Sequence, residues 1–117
     1  MDQEGLVYKA SQRLADQSEY EGQWRNGLPN GYGEQIWPNG STYKGTYRDG
    51  LRDGSGKQTF ANGSSYDGQW VAGKYHGVGE FRHPDGSLYS GWWCAGLQHG
   101  QGHEQWADRS TFEGTYS

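Results

Sequence analysis

Branched hydrocarbon is scarce in this chain. Leucine, isoleucine and valine together supply ten of its 117 residues, which excludes a two-layer domain built around an aliphatic interior. No apolar run approaches the roughly 20 residues that a membrane-spanning helix needs. Met1 to Ala15 has neither the basic start nor the apolar stretch of a secretory leader. The expectation is a soluble, cytoplasmic chain. A single cysteine, Cys94, can form no internal disulfide, and no Cys–His context recurs around it, so it reads as a bystander. The formal net charge is only −4 and the basic residues are scattered from Lys9 to Arg109, which gives no electrostatic reason to expect nucleic acid.

Glycine and aromatic residues are what the chain has instead: 21 glycines, with nine tyrosines, six tryptophans and three phenylalanines. A chain poor in aliphatics is often disordered, but disordered chains are also poor in aromatics and highly charged. This composition predicts folding by aromatic packing.

Both residue classes obey one period of 23. Units run Tyr20 to Thr42, Tyr43 to Ser65, Tyr66 to Leu88 and Tyr89 to Thr111, and Phe112 to Ser117 begins a fifth. Glycine recurs at places three, eight, twelve, fourteen and twenty-one of the unit, leaving only Gly5 out of register. Rings recur at place one (Tyr20, Tyr43, Tyr66, Tyr89, Phe112) and place five (Trp24, Tyr47, Trp70, Trp93, Tyr116). A third column, at place eighteen, holds Trp37, Phe60 and Trp106, with His83 as the exception.

Alternation through Tyr20-Glu21-Gly22-Gln23-Trp24-Arg25 implies a strand with places one, three and five on one face. Asn26-Gly27 and Asp49-Gly50 are reversals, Gly31 to Trp37 is a second strand, and Pro38-Asn39-Gly40 is another turn. Each unit is therefore a hairpin in which rings lie over bare glycine backbone. Residues 1–19 read as a degenerate half-repeat or cap, since Leu14 to Tyr20 aligns with Phe60 to Tyr66. An amphipathic helix over Leu6, Ala10, Arg13 and Leu14 is the competing reading. The expected fold is all-β: an elongated, twisted, single-layer antiparallel meander of ten strands, with the array proper over residues 20–117.

The pattern Tyr-Glu-Gly-x-Trp-x-x-Gly-x-x-x-Gly-x-Gly, followed by an aromatic and Pro-Asn-Gly or Pro-Asp-Gly, resembles the MORN (membrane occupation and recognition nexus) repeat. The best single match is Tyr20 to Gly27. The resemblance implies a non-catalytic scaffold that holds a partner protein or peptide in a groove and self-associates, in some members with phospholipid binding or a place at the cytoskeleton or membrane. Arg109 departs from the pattern at a turn glycine, which implies a remodelled last turn or a specific contact.

Candidate sites follow. Trp24, Tyr47, Trp70 and Trp93 are read as a groove for a partner peptide or helix, with Tyr32, Tyr75 and Trp92, which lie outside the columns, as specificity residues. The alternative for the ring columns is that they simply pack the sheet. Arg25, Lys44, Arg48, Arg52, Lys57 and Lys74 are the set that could meet a phosphoinositide headgroup, although Val71, Cys94 and several aspartates interrupt it. The edge from Phe112 to Tyr116 is the expected self-association surface, unless the array continues in a longer parent chain. His76, His99 and His103 lie along a row and need not converge on a metal. The recurring carboxylates Glu21, Asp67 and Glu113 read as a solvated face and not as a catalytic pair. No cofactor and no enzymatic activity are expected.

Overall fold

A computed structural model describes residues 5–116. Ten strands follow in chain order: β1 (Val7–Arg13), β2 (Glu19–Arg25), β3 (Leu28–Ile36), β4 (Thr42–Arg48), β5 (Leu51–Thr59), β6 (Ser65–Val71), β7 (Lys74–Arg82), β8 (Leu88–Cys94), β9 (Leu97–Gln105) and β10 (Thr111–Tyr116). They form one open antiparallel sheet in the order of the sequence, 46 × 31 × 19 Å in extent. Among the described residues there is no helix, so none is long and apolar enough to cross a membrane. Val7–Arg13 is a strand paired with β2 and not an amphipathic helix. Residues 1–4 of the expected cap and Ser117 of the expected fifth unit lie outside the described residues.

Turn chemistry sets the hairpins. In Asn26-Gly27 both residues take positive φ, 54° and 78°, as a tight type I′ reversal requires. The same geometry is imposed on Ala72 and Ala95 at φ 50° and 51°, where alanine has no side-chain hydrogen bond to offset the strain. At the opposite edge each turn is closed by an Asx bond, for example Ser41 N–H to Asn39 Oδ1 at 2.9 Å and Ser64 N–H to Asn62 Oδ1 at 2.9 Å. Arg109 does not remodel its turn. It adopts φ 75° and donates its N–H to Trp106 O at 2.8 Å, as Gly40 does to Trp37 O at 2.9 Å.

One line of glycines crosses the sheet. Gly22, Gly33, Gly45, Gly56, Gly68, Gly79, Gly91, Gly102 and Gly114 are successive cross-strand partners from β2 to β10. Over this line lie the tyrosines of place one, and Tyr20, Tyr43 and Tyr66 are completely buried although the sheet has no second layer. A Cβ at Gly33, Gly56 or Gly79 would stand within the ring of the preceding tyrosine. Glycine is required here by close approach, not by flexibility.

Register between hairpins is flush, but inside each hairpin three residues oppose one: Gly22 pairs with Gly33 and Trp24 with Pro29. The bulge leaves a carbonyl at place four, and the phenol of place one caps it: Tyr20 Oη donates to Gln23 O at 2.8 Å, Tyr43 to Thr46 O at 3.0 Å, Tyr66 to Gln69 O at 2.8 Å and Tyr89 to Trp92 O at 3.0 Å. That bond is why place one is tyrosine and not phenylalanine in the four full units. Hairpins are stitched to one another by Gly50 N–H to Pro29 O, Gly73 N–H to Arg52 O and Gly96 N–H to Tyr75 O, at 2.8–2.9 Å.

Candidate functional site

Rings of places one and five form a continuous edge-to-face chain along what we term the inner face. It runs Trp24, Tyr20, Tyr47, Tyr43, Trp70, Tyr66, Trp93, Tyr89, Tyr116 and Phe112, with centroids 5.0–6.0 Å apart and planes crossed at 79–90°. Edge-to-face pairs of this geometry are worth about 0.5–1.5 kcal/mol each beyond their buried area. Burial pushes the Tyr20 and Tyr66 phenols up to about 12 and those of Tyr43 and Tyr47 higher still.

Place five therefore belongs to the core. Tyr47, Trp70 and Trp93 are 5%, 2% and 7% exposed, so these three rings pack the sheet, and Trp70 and Trp93 show only an edge to the cavities described below. Their polar atoms are already used: Tyr47 Oη donates to Gln35 Oε1 at 2.8 Å, and the indoles of Trp70 and Trp93 donate to Gly56 O and Gly79 O, each at 3.1 Å. Trp24 is only half-buried and is approached by Lys9 Nζ at 5.6 Å from its ring centroid.

Even places of the second strand share the inner face, because they pair with odd places of the first on both sides of the bulge, whose shift of two preserves the alternation. Place ten thus presents Pro29, Arg52, Tyr75 and Gln98 inward, and place sixteen presents Gln35, Gln58, Phe81 and Glu104. Tyr75 stacks face to face on Tyr66 at 3.9 Å and 11°. Phe81 lies 6.1 Å from Phe60 and 4.9 Å from His83, occupying the space left where His83 interrupts the third column. Two cavities open here. One of about 240 Å³ is lined by Arg52, Phe60, Trp70, Gly73, Lys74, Tyr75, Ala95 and Gly96. The other, about 190 Å³, is lined by Tyr75, Phe81, His83, Trp93 and Gln98.

Tyr32 and Trp92 point the other way. Both are 51% exposed on the outer face, where Val78 is the cross-strand partner of Trp92 and Tyr32 that of Thr46. The seven ring residues proposed as one groove are thus divided between two faces. Trp92 also breaks a local pattern: at the same place Gln23, Thr46 and Gln69 accept the backbone N–H of Tyr32, Ser55 and Val78 at 2.8–3.2 Å, bracing the bulge. An indole has no acceptor for that bond.

The six cations do not gather either. Lys44 and Lys57 are exposed cross-strand neighbours on the outer face, flanked in register by Glu34 and Asp67. Arg48 and Lys74 are exposed beside the tight turns, and Arg25 donates to Asn30 Oδ1 at 3.4 Å. Arg52 is half-buried on the inner face, its Cζ 4.8 Å from the Trp70 centroid and 5.9 Å from that of Trp37. Among the described residues no group of three or more His, Cys, Asp or Glu could hold a metal.

Sequence reasoning left Arg52, Trp37, Phe60 and Phe81 out of the candidate groove. The signal was available, since Gly31, Gly33 and place eighteen are all even places and extending that parity reaches Arg52 and Phe81.

The sequence profile of the MORN repeat matches the chain four times, at residues 20–42, 43–65, 66–88 and 89–111. No curated protein matches it.

Proposed function

Because the chain belongs to the MORN repeat family, we propose that it is a non-catalytic scaffold that holds a partner protein or peptide against its inner aromatic face. One observation carries this reading. Once the edge-to-face chain is complete, Phe60, Tyr75 and Phe81 remain as half-buried rings around two cavities on the same side of the sheet. Aromatic side chains beside a preformed hollow are favoured anchors, because they bury large area with few rotatable bonds.

Outer-face chemistry supports no rival of equal weight. Its central row reads Glu21, Glu34, Lys44, Lys57, Asp67, Glu80 across the strands, one basic pair held between two acidic pairs and not the basic patch that anionic headgroups recruit. The test is affinity capture with the intact chain against a Phe60→Gln, Phe81→Gln double variant and a Val78→Ser outer-face control, all shown folded by circular dichroism. Partners lost from the double variant alone support the reading. Partners retained by it, or pelleting of the chain with phosphoinositide vesicles that the same substitutions leave intact, would move the function to another surface.

Self-association is a second reading, favoured by one feature. Strand β10 pairs only with β9 among the described residues, and Thr111–Tyr116 contains no lysine, proline or bulge to blunt an open edge. A concentration series in sedimentation velocity that remains monomeric throughout removes it.

A further inference from the structure

We infer that the Arg52 cavity is the subsite that selects the ligand, and that it takes an acidic side chain of a partner peptide whose adjoining residues are apolar. This rests on the inner-face scaffold reading and sharpens it to a ligand class.

Place ten is proline, tyrosine or glutamine in the other three units, so the cation is peculiar to the second. Its guanidinium is sandwiched toward Trp70 and Trp37 and donates to Gln58 Oε1 and, at 3.4 Å, to Gly73 O. Both acceptors are neutral, which leaves part of a five-donor fork for something else. Among the described residues no carboxylate lies within ion-pair distance of Arg52 or of Lys74, which stands at the rim of the same cavity. Two positive groups and no acid thus line a hollow of about 240 Å³. A partly desolvated guanidinium without a counter-charge is costly, and an incoming carboxylate relieves that cost with charge-assisted bonds.

Apolar flanks are assigned by the neighbouring hollow. Tyr75 is common to both cavities, and beyond it Phe81 and Trp93 offer rings with no Lys, Arg, Asp or Glu. Further along the same face Glu104 accepts the Tyr116 hydroxyl at 2.6 Å, which disfavours a second acid there.

The experiment is selection of a random-peptide phage library on the intact chain, in parallel on Arg52→Gln, Lys74→Gln and the Phe60→Gln, Phe81→Gln variant, each matched for thermal unfolding. The expected result is enrichment of peptides with Asp or Glu beside apolar residues. Their affinity should fall about tenfold in Arg52→Gln, the order of one charge-assisted contact, and less in Lys74→Gln. Enrichment of neutral or basic apolar peptides that still need Phe60 and Phe81 would overturn the acidic ligand and leave the scaffold reading in place. A concentration-dependent dimer that Arg52→Gln abolishes would give the cavity to a second copy and overturn the peptide assignment. No enrichment on any form, or enrichment indifferent to all four substituted residues, would remove both.

Discussion

Trp24 and Trp70 are the same residue at the same place of the repeat, yet only one is fully seated. Trp70 is 2% exposed and its indole donates to Gly56 O of the preceding hairpin. Trp24 is half-buried, and its Nε1 is the buried side-chain nitrogen without a hydrogen-bond partner among the described residues. The cause lies in the neighbour. Strand β1 sets Lys9, not a glycine, opposite Gly22, so the glycine line stops there and the Lys9 side chain reaches the Trp24 ring at 5.6 Å. Phe112 shows the same lesson at the other end of the sheet: it lacks the phenol that caps the bulge carbonyl, and it is 44% exposed. A unit of this protein is therefore completed by its neighbours, place five by the unit before it and place one by the unit after it, as a quasi-one-dimensional array requires.

Glycine substitution should break the contrast most strongly. Gly56→Ala forces the buried Tyr43 ring off the sheet and should cost about 3 kcal/mol, the scale of severe overpacking. In Gly114→Ala the new Cβ would meet Phe112 Cζ at 2.7 Å, but that ring is free to swing, and the cost should be under about 1 kcal/mol. Chemical denaturation of the two variants compares them directly.

Alkali should act next. Tyr20 and Tyr66 ionise only at about 12 in the folded chain against about 10 when unfolded, so the folded state favours the neutral phenols. Their contribution is complete below pH ~10 and is lost as pH rises through ~12. The denaturation midpoint should be flat up to that window and then fall, and the fall should be smaller in Tyr66→Phe than in the parent chain.

Replacing indoles isolates the neighbour effect. Trp70→Phe loses the indole bond to Gly56 O in a buried setting, for a cost of about 1 kcal/mol. Trp24→Phe removes an orphaned donor and should be close to neutral; an equal loss in both would contradict the comparison.

The smallest effect is expected at the strained turns. Arg109→Gly relieves a positive φ and should raise stability by about 1 kcal/mol, with Ala72→Asn giving a gain of the same sign. A loss at Arg109 would mean that its side chain makes a contact worth more than the strain.

How much of this was legible in sequence depended on whether the information was periodic. The glycine and ring columns dictated ten strands, their order and the ring-over-glycine packing, because a single spacing repeated and only one face could hold the rings. The site was less legible for three physical reasons. Full burial of place five hinges on how tightly edge-to-face rings mesh. That is not apparent from Tyr47, Trp70 or Trp93 taken singly. Assignment of Tyr32 and Trp92 to the outer face follows from strand parity, but they stood out of column and were grouped by chemistry instead. Arg52 looked like one more surface cation because its charge masks the even place that pairs it with inward-facing Tyr47. Arg109 shows the converse: a turn held by Asx and backbone bonds keeps its shape even when its glycine is gone.

A double-mutant cycle across Tyr43 and Trp70 tests the central claim most directly, because their rings meet edge to face at 5.4 Å and 89° across two hairpins. Unfolding free energies of Tyr43→Leu, Trp70→Leu and the double variant should yield a favourable coupling of about 1 kcal/mol. Strict additivity would contradict the account, since the rings would then contribute only buried area and the inner face would not be one continuous aromatic structure.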